Sequence, residues 1–249
     1  MKYNLILVEG LPGTGKTTLS GRVFNLLTEQ GIEAELLLEG NEKIPSNFCD
    51  IAGIPKGKNK NIKIDKSLII ETSNYVFVNM KNCVQDITSQ IQCYDIGNEY
   101  NKFITAQEYA RCTLEWWQNW AANNVYSHVM IMDSAFMQCP INEMIFRGAS
   151  DSEAKSYIKT IAEIITPLNH ICIYLHREST EISINFAKAV KGRHWSEGID
   201  KLAQSEFPDL FERRFVLESA LLTTIPSVVC DINGYDWSDA ELKIQKLFT

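Results

Sequence analysis

No apolar stretch in the chain approaches 18 residues, so no transmembrane helix is expected. The first apolar run, Tyr3-Asn4-Leu5-Ile6-Leu7-Val8, is short and passes straight into a glycine-rich turn. It reads as a buried strand and not as a secretory leader. Positive charge is in deficit: 24 Lys and Arg face 31 Asp and Glu, leaving a net charge of −7. That balance excludes broad nucleic-acid binding and adhesion to anionic membranes, while permitting a local basic pocket. The seven cysteines are odd in number and scattered, with no C-x-x-C pair. This argues against a disulfide framework or a zinc site and for reduced thiols in a cytoplasmic protein. Internal repeats and low-complexity tracts are also missing, as is the guanine-specifying N-K-x-D. What remains is 249 residues of ordinary globular composition, enough for a single domain over 1–249 with a sizeable core and an inserted cap.

Against these absences stands one motif. Gly10-Leu11-Pro12-Gly13-Thr14-Gly15-Lys16-Thr17 fits G-x-x-x-x-G-K-[ST], the phosphate-binding P-loop. The motif has meaning only between a buried strand and a helix, and both flanks suit it. The 3–8 run is of strand type, and residues 17–30 carry Leu19, Val23, Phe24, Leu26 and Leu27 mostly at helical spacing. Glycines at 10, 13 and 15 allow a tight turn and close approach to an anion. The loop and helix N–H groups then face phosphate, aided by the helix dipole. Lys16 is expected to reach the β- and γ-phosphates, and the Thr17 hydroxyl to ligate Mg²⁺. Gly10, Pro12, Gly13, Thr14, Gly15 and Thr18 complete the expected nucleotide-binding set.

Further elements follow in alternation. Residues 33–38 read as a second strand leading to Glu39-Gly40-Asn41. A carboxylate there lies near the loop rim, so Glu39 is a candidate catalytic base; a solvated turn carboxylate is the plainer alternative. Residues 42–104 contain Pro45, Gly53, Pro55 and Gly57, a run of lysines, and two short apolar runs at 67–70 and 75–78 that suggest a hairpin. So long a segment reads as a cap insertion over the site. Thr105 is placed to cap a helix over 106–123 whose Tyr109, Leu114, Trp116, Trp117 and Trp120 read chiefly as core. Arg111 on that helix is a candidate anion ligand or a surface residue.

Residues 128–134 form a third apolar strand ending in Asp133-Ser134, the usual form of an acidic Mg²⁺-holding strand end. Pro140 suits the first turn of a short helix ending near Arg147. A helix over 151–166 stopped by Pro167 leads to a fourth strand at 171–175. The helical stretch 179–191 ends in Lys188, Lys191, Arg193 and His194 around Gly192. These cations either close over a triphosphate as a lid at 177–200 or complement a helix C-terminus. Helices over 195–207 and 209–222, a fifth strand at 226–230, a turn and a closing helix over 237–248 complete the reading. The turn at 233–236 is a candidate edge of a base pocket.

Alternating strands and helices imply a parallel α/β sheet with right-handed crossovers. The 10–17 motif, the Leu-Leu-Leu-Glu39 strand end, the Met-Asp133-Ser134 strand end and the Tyr174-Leu175 strand before a basic helix together resemble the nucleoside and nucleotide kinases of the thymidylate kinase group. The layout covers about two thirds of the chain, with only the first motif specific as sequence. The stretch from Phe136 to Glu143, Phe-x-Gln-x-Pro-Ile-Asn-Glu, is similar to one in a bacterial branch of P-loop proteins. The resemblance implies a P-loop NTPase three-layer α/β/α fold, a five-stranded sheet of order 2-3-1-4-5, a lid after the fourth strand, and ATP with Mg²⁺ as cofactors.

The chain also departs from that family. No arginine follows Asp133, Leu175 is followed by His176 in place of an aspartate, and lid arginines are partly lysines. Up to residue 147 only Arg22, Arg111 and Arg147 are present, fewer than a nucleoside monophosphate acceptor asks for. The expectation is therefore phosphoryl transfer from ATP to a hydroxyl acceptor. Lys16, Glu39, Asp133 and Arg193 are the expected catalytic residues, Lys188 and Lys191 join the nucleotide set, and Thr17 and Asp133 hold the metal. A nucleoside monophosphate kinase and a P-loop NTPase switch or binding module remain the alternatives. The expected partners are a nucleotide and a small-molecule acceptor, without nucleic acid or membrane, and a homodimer is left open.

Overall fold

The computed structural model describes residues 2–58, 62–98, 101, 103–124 and 128–248. Its centre is β1 (Leu5–Gly10), in which every residue is buried. Such continuous burial is what a strand covered on both faces requires, and it explains the unbroken apolar run. The run also divides by parity. Leu5 and Leu7 enter one core with the inner faces of several helices, while Ile6 and Val8 enter a second core on the opposite face.

Five parallel strands make the main sheet: β1, β2 (Ala34–Leu37), β6 (Val129–Asp133), β7 (His170–His176) and β8 (Ser227–Asp231). Their spatial order is β2-β6-β1-β7-β8, with Leu5 opposite Met130 on one side and His170 on the other. In whole-chain numbering this differs from 2-3-1-4-5, because three strands of another sheet intervene between β2 and β6. Counted among the parallel strands alone, the order runs second, third, first, fourth, fifth.

The helices flank this sheet. On the Ile6/Val8 face lie α1 (Lys16–Glu29) and α9 (Ser238–Phe248). On the Leu5/Leu7 face lie α3 (Ala106–Asn123), α4 (Gln138–Phe146), α5 (Asp151–Ile165) and α8 (Leu210–Leu222). Thr105 caps α3 as expected, its hydroxyl accepting from the Glu108 N–H while the Glu108 carboxylate accepts from the Thr105 N–H. Ser150 and Glu153 do the same for α5. Each such box satisfies two otherwise orphaned donors. Trp117 and Trp120 are buried, so that part of the aromatic face is core.

The 42–104 segment carries a second, antiparallel sheet of order β3-β5-β4, formed by β3 (Ile51–Pro55), β4 (Ile69–Glu71) and β5 (Tyr75–Asn79). The β4/β5 hairpin lies where the sequence suggests it, with Ile70 opposite Phe77. Strand β3 and the short helix α2 (Gln85–Ile91) are additional to that reading. One face of the small sheet has its own apolar core, made by Ala52, Ile54, Val76, Val78 and Ile91. The other places Phe77 against Trp116 of α3, with ring centroids 4.9 Å apart. The basic stretch after β7 is folded into α6 (Thr180–Lys191) and α7 (Arg193–Ala203), divided at Gly192. Among the described residues no helix is long and apolar enough to cross a membrane.

Candidate functional site

The chain winds to β2 and β6 on one side of β1 and to β7 and β8 on the other, so a crevice opens at the carboxyl ends of the central strands. The 10–17 loop occupies that crevice. Gly15 is the N-cap of α1 in a left-handed conformation and offers no side chain to the first-turn N–H groups. No acidic residue stands in that turn either. The N–H groups and the positive end of the helix dipole are thus left directed at the loop. Gly13, at φ +83°, is pressed against α6: an added Cβ would collide with the Ser183 carbonyl and lie 2.8 Å from the Ala187 nitrogen. Only glycine fits both conditions.

Neighbouring side chains fix the loop. Thr14 Oγ1 donates to the Leu11 carbonyl at 2.8 Å, and Ser183 Oγ donates to the Pro12 carbonyl at 2.7 Å. Arg177 Nε donates to the Gly13 carbonyl and its Nη1 to the Gly234 carbonyl, both at 2.9 Å. Lys16 Nζ donates to the carbonyls of Gly10 at 3.0 Å and Leu11 at 3.2 Å. Burial, with Arg214 adding to it, lowers the Lys16 pKa; Asp133, Glu9 and Glu39 act in the opposite direction.

Thr17 Oγ1 donates to Asp133 Oδ2 at 2.6 Å across 116 residues of sequence. Ser134 Oγ donates to Asp133 Oδ1 at 2.8 Å. A hydroxyl and a carboxylate side by side are hard oxygen donors of the kind Mg²⁺ takes, with phosphate and water completing its shell. Among the described residues no group of three or more His, Cys, Asp and Glu converges on a metal-sized site.

Two cavities lie here, with Glu39 in the wall of both. One, of about 330 Å³, is lined by Gly13, Gly15, Lys16, Thr17 and Thr18 on the loop side. Arg177, Phe186, Lys191, Tyr235 and Trp237 line it opposite. The other, of about 410 Å³, runs from Asp133 and Ser134 beneath residues 44–50 and 95–98. Glu39 Oε1 accepts from Gln138 Nε2 at 2.8 Å, which sets the carboxylate in that shared wall.

The expected site residues thus divide. Gly13, Gly15, Lys16, Thr17, Thr18, Glu39 and Lys191 line the first cavity, and Asp133 joins through Thr17. Gly10, Pro12 and Thr14 shape the loop from behind. Arg193 is not brought to the site: its side chain is 90% exposed and pairs with Glu197 one turn along α7. Lys188 is turned to Asp200 at 2.6 Å. Both lie where Gly192 breaks the helix, and each finds its counter-ion on α7 instead of the loop. Arg111 is exposed on α3 and lines neither cavity. Among the described residues, the arginine that touches the loop and lines the first cavity is Arg177, one residue beyond β7, which is not among the expected lid cations.

Behind the loop lies a buried charged network absent from the sequence reading. Glu9 accepts from the Phe136 N–H at 2.6 Å and the Gln138 N–H at 3.2 Å. Burial pushes its pKa up to about 7, against the pull of the Phe136 and Met137 N–H groups. Arg214 Nη2 donates to the Gly10 carbonyl at 3.0 Å, and Arg214 Nε lies 2.7 Å from Glu218 Oε1. Glu218 also accepts from Tyr174 Oη at 2.7 Å. Arg214 and Glu218 are an i, i+4 pair on a helix, which by sequence reads as a solvated face. The cue that remained was Glu9 standing inside an otherwise apolar strand.

No protein-family model and no curated protein sequence matches the chain.

Proposed function

We propose that the protein is a Mg·ATP-dependent kinase that phosphorylates a hydroxyl group of a small molecule. The observation that carries this reading is the Thr17–Asp133 contact beside Lys16, where two cavities share Glu39 as a wall. A hydrolytic switch needs one nucleotide cavity; a second cavity that shares the Glu39 carboxylate as a wall suits a transferase.

In this reading the α1 N–H groups and Lys16 hold the β- and γ-phosphates, as the unpartnered helix start favours. Thr17 and Asp133 would provide oxygen ligands for Mg²⁺, which would supply positive charge to offset that of the phosphates. Arg177, Phe186, Tyr235 and Trp237 offer flat and cationic surfaces to the base and ribose. Glu39 orients the acceptor hydroxyl and takes its proton. The acceptor oxygen bonds to the γ-phosphorus, the bond from that phosphorus to the β–γ bridging oxygen breaks, and ADP leaves. Alignment and charge neutralisation provide most of the rate.

The test is ADP release from Mg·ATP with and without hydroxylated acceptors, for wild type and Lys16→Ala. Release that depends on an acceptor and on Lys16 supports the reading. Release that needs no acceptor, or that survives Lys16→Ala, overturns it.

A further inference from the structure

The second cavity has a chemical character of its own. Five carboxylates line it, Glu39, Asp50, Asp95, Asp133 and Glu143, and no lysine, arginine or histidine does so among the described residues. Three of the five are engaged from behind. Asp50 lies 3.2 Å from Lys81, Glu143 pairs with Arg147, and Asp133 is engaged by Thr17 and Ser134. Glu39 and Asp95 make no ion pair among the described residues; they accept only from Gln138 and from backbone N–H groups such as that of Gly97.

A second observation is independent of charge. Ser46 lines the same cavity and is only 7% exposed. Its Oγ has no hydrogen-bond partner among the described residues. A buried hydroxyl without a partner is costly unless something polar meets it, and the cavity is where that group can come from. The volume, about 410 Å³, lies within the range of small-molecule sites.

We infer that the acceptor is a cationic alcohol: a hydroxylated molecule bearing one or more ammonium groups, of the amino-sugar or aminocyclitol type. Its ammonium groups sit against Asp95 and the neighbouring acids, a polar group meets Ser46, and a hydroxyl points to Glu39 in the wall shared with the nucleotide cavity. Burial raises the Asp95 pKa and the nearby Asp50 charge raises it further. The Gly97 N–H and the Arg147 charge pull the other way, and an arriving ammonium adds to that pull by offsetting the Asp50 charge. A phosphorylated acceptor would bring its charge against the same acids and is disfavoured.

This inference rests on the kinase reading for the word acceptor, and two separate readouts keep the two apart. Isothermal titration of the whole chain in the presence of Mg·ADP measures binding of 2-deoxystreptamine, glucosamine and kanamycin. Their neutral and anionic counterparts are myo-inositol, glucose, thymidine and thymidine monophosphate. The expected result is that at least one cationic compound binds tenfold or more tightly than every neutral or anionic one. Asp95→Asn and Ser46→Ala should each weaken that binding several-fold. Equal or tighter binding of a neutral or anionic compound overturns the inference, as does binding by none of the cationic ones. These outcomes need only wild-type protein, so a variant that fails to fold does not decide the matter. ADP release is read on the same panel. Cationic binding without release by any compound upholds the charge preference of the cavity and ends the kinase reading. Release with a neutral acceptor that binds best does the reverse.

Discussion

Arg214 reaches across 204 residues of sequence to donate to the carbonyl oxygen of Gly10, the first residue of the loop. The same guanidinium pairs with Glu218 one turn further along α8, and both side chains are almost wholly buried. The helix that follows the basic stretch therefore grips the loop from behind. Removing one member of a buried pair leaves the other uncompensated, at a cost of about 3–5 kcal/mol. Arg214→Met is expected to lose that much in chemical denaturation. Arg214→Met combined with Glu218→Gln is expected to regain most of it, since the glutamine still accepts from Tyr174. Arg193→Met, at a side chain 90% exposed, should stay within about 0.5 kcal/mol of wild type. Equal effects at 214 and 193 would refute the buried arrangement.

The close approach of α6 to the loop is tested at Gly13. Alanine there meets two penalties: a left-handed backbone, worth about 1–2 kcal/mol, and a collision with backbone atoms of Ser183 and Ala187. Gly148, at φ +74°, has nothing within 4 Å of an added Cβ and meets only the first. Gly13→Ala should therefore lower the denaturation midpoint clearly more than Gly148→Ala. Indistinguishable midpoints would mean that α6 yields at no cost.

These relationships mark where sequence reading succeeds and where it stops. The strands and helices of the parallel sheet were legible from their apolar runs and periods, and α3 also from its cap at Thr105. Strand β3 was not, because Gly53 and Pro55 interrupt it. In the structure Gly53 is there because a Cβ would strike Cys112 Sγ, and Pro55 closes a strand at the sheet edge, where a missing N–H is tolerated. At the site, Lys16, Thr17, Glu39 and Asp133 declared themselves through motif and strand-end position. Arg177, Arg214 and Asp95 did not. Nothing in an isolated charged residue tells whether it meets water or a backbone carbonyl 204 residues away. Arg193 is the reverse case: a basic cluster at a helix end finds acids on the next helix as readily as a phosphate, and here Arg193 pairs with Glu197.

Glu9 predicts a pH dependence. Its carboxyl titrates near 7 in the folded protein against an ordinary 4.5, so between those values the folded state holds a proton that the unfolded state has lost. Folding stability from this group is therefore fully present below about 4.5 and falls as pH rises through about 7, by at most about 3 kcal/mol. Lys16 and Glu218 are the charges facing it, and the Phe136 and Gln138 N–H groups are its hydrogen-bond donors. Glu9→Gln removes the titration and sets an amide N–H₂ against one of those donors. The variant should be less stable than wild type at pH 5, and the difference should shrink by pH 8. Denaturant midpoints across that range measure it. A difference that stays constant with pH would show that Glu9 does not titrate there.

On the proposed reading, the Thr17–Asp133 pair and Glu39 separate by the kinetic constants they alter. Thr17→Ser keeps the hydroxyl and should keep most of the activity. Thr17→Val removes the oxygen while filling the same space, and should lower acceptor-dependent ADP release by about 10²-fold, an effect typical of one lost transition-state ligand. Asp133→Asn weakens the same oxygen pair and should raise the Mg²⁺ concentration needed for half-maximal rate. Glu39→Gln still accepts from Gln138, so acceptor placement is retained while the proton acceptor is lost. Its kcat should fall by about 10²–10⁴-fold with KM for Mg·ATP little changed. A Glu39→Gln enzyme at full rate would remove the base assignment while leaving the Mg²⁺ assignment standing. A Thr17→Val enzyme at full rate would remove the metal assignment, and with it the observation on which the kinase reading is built.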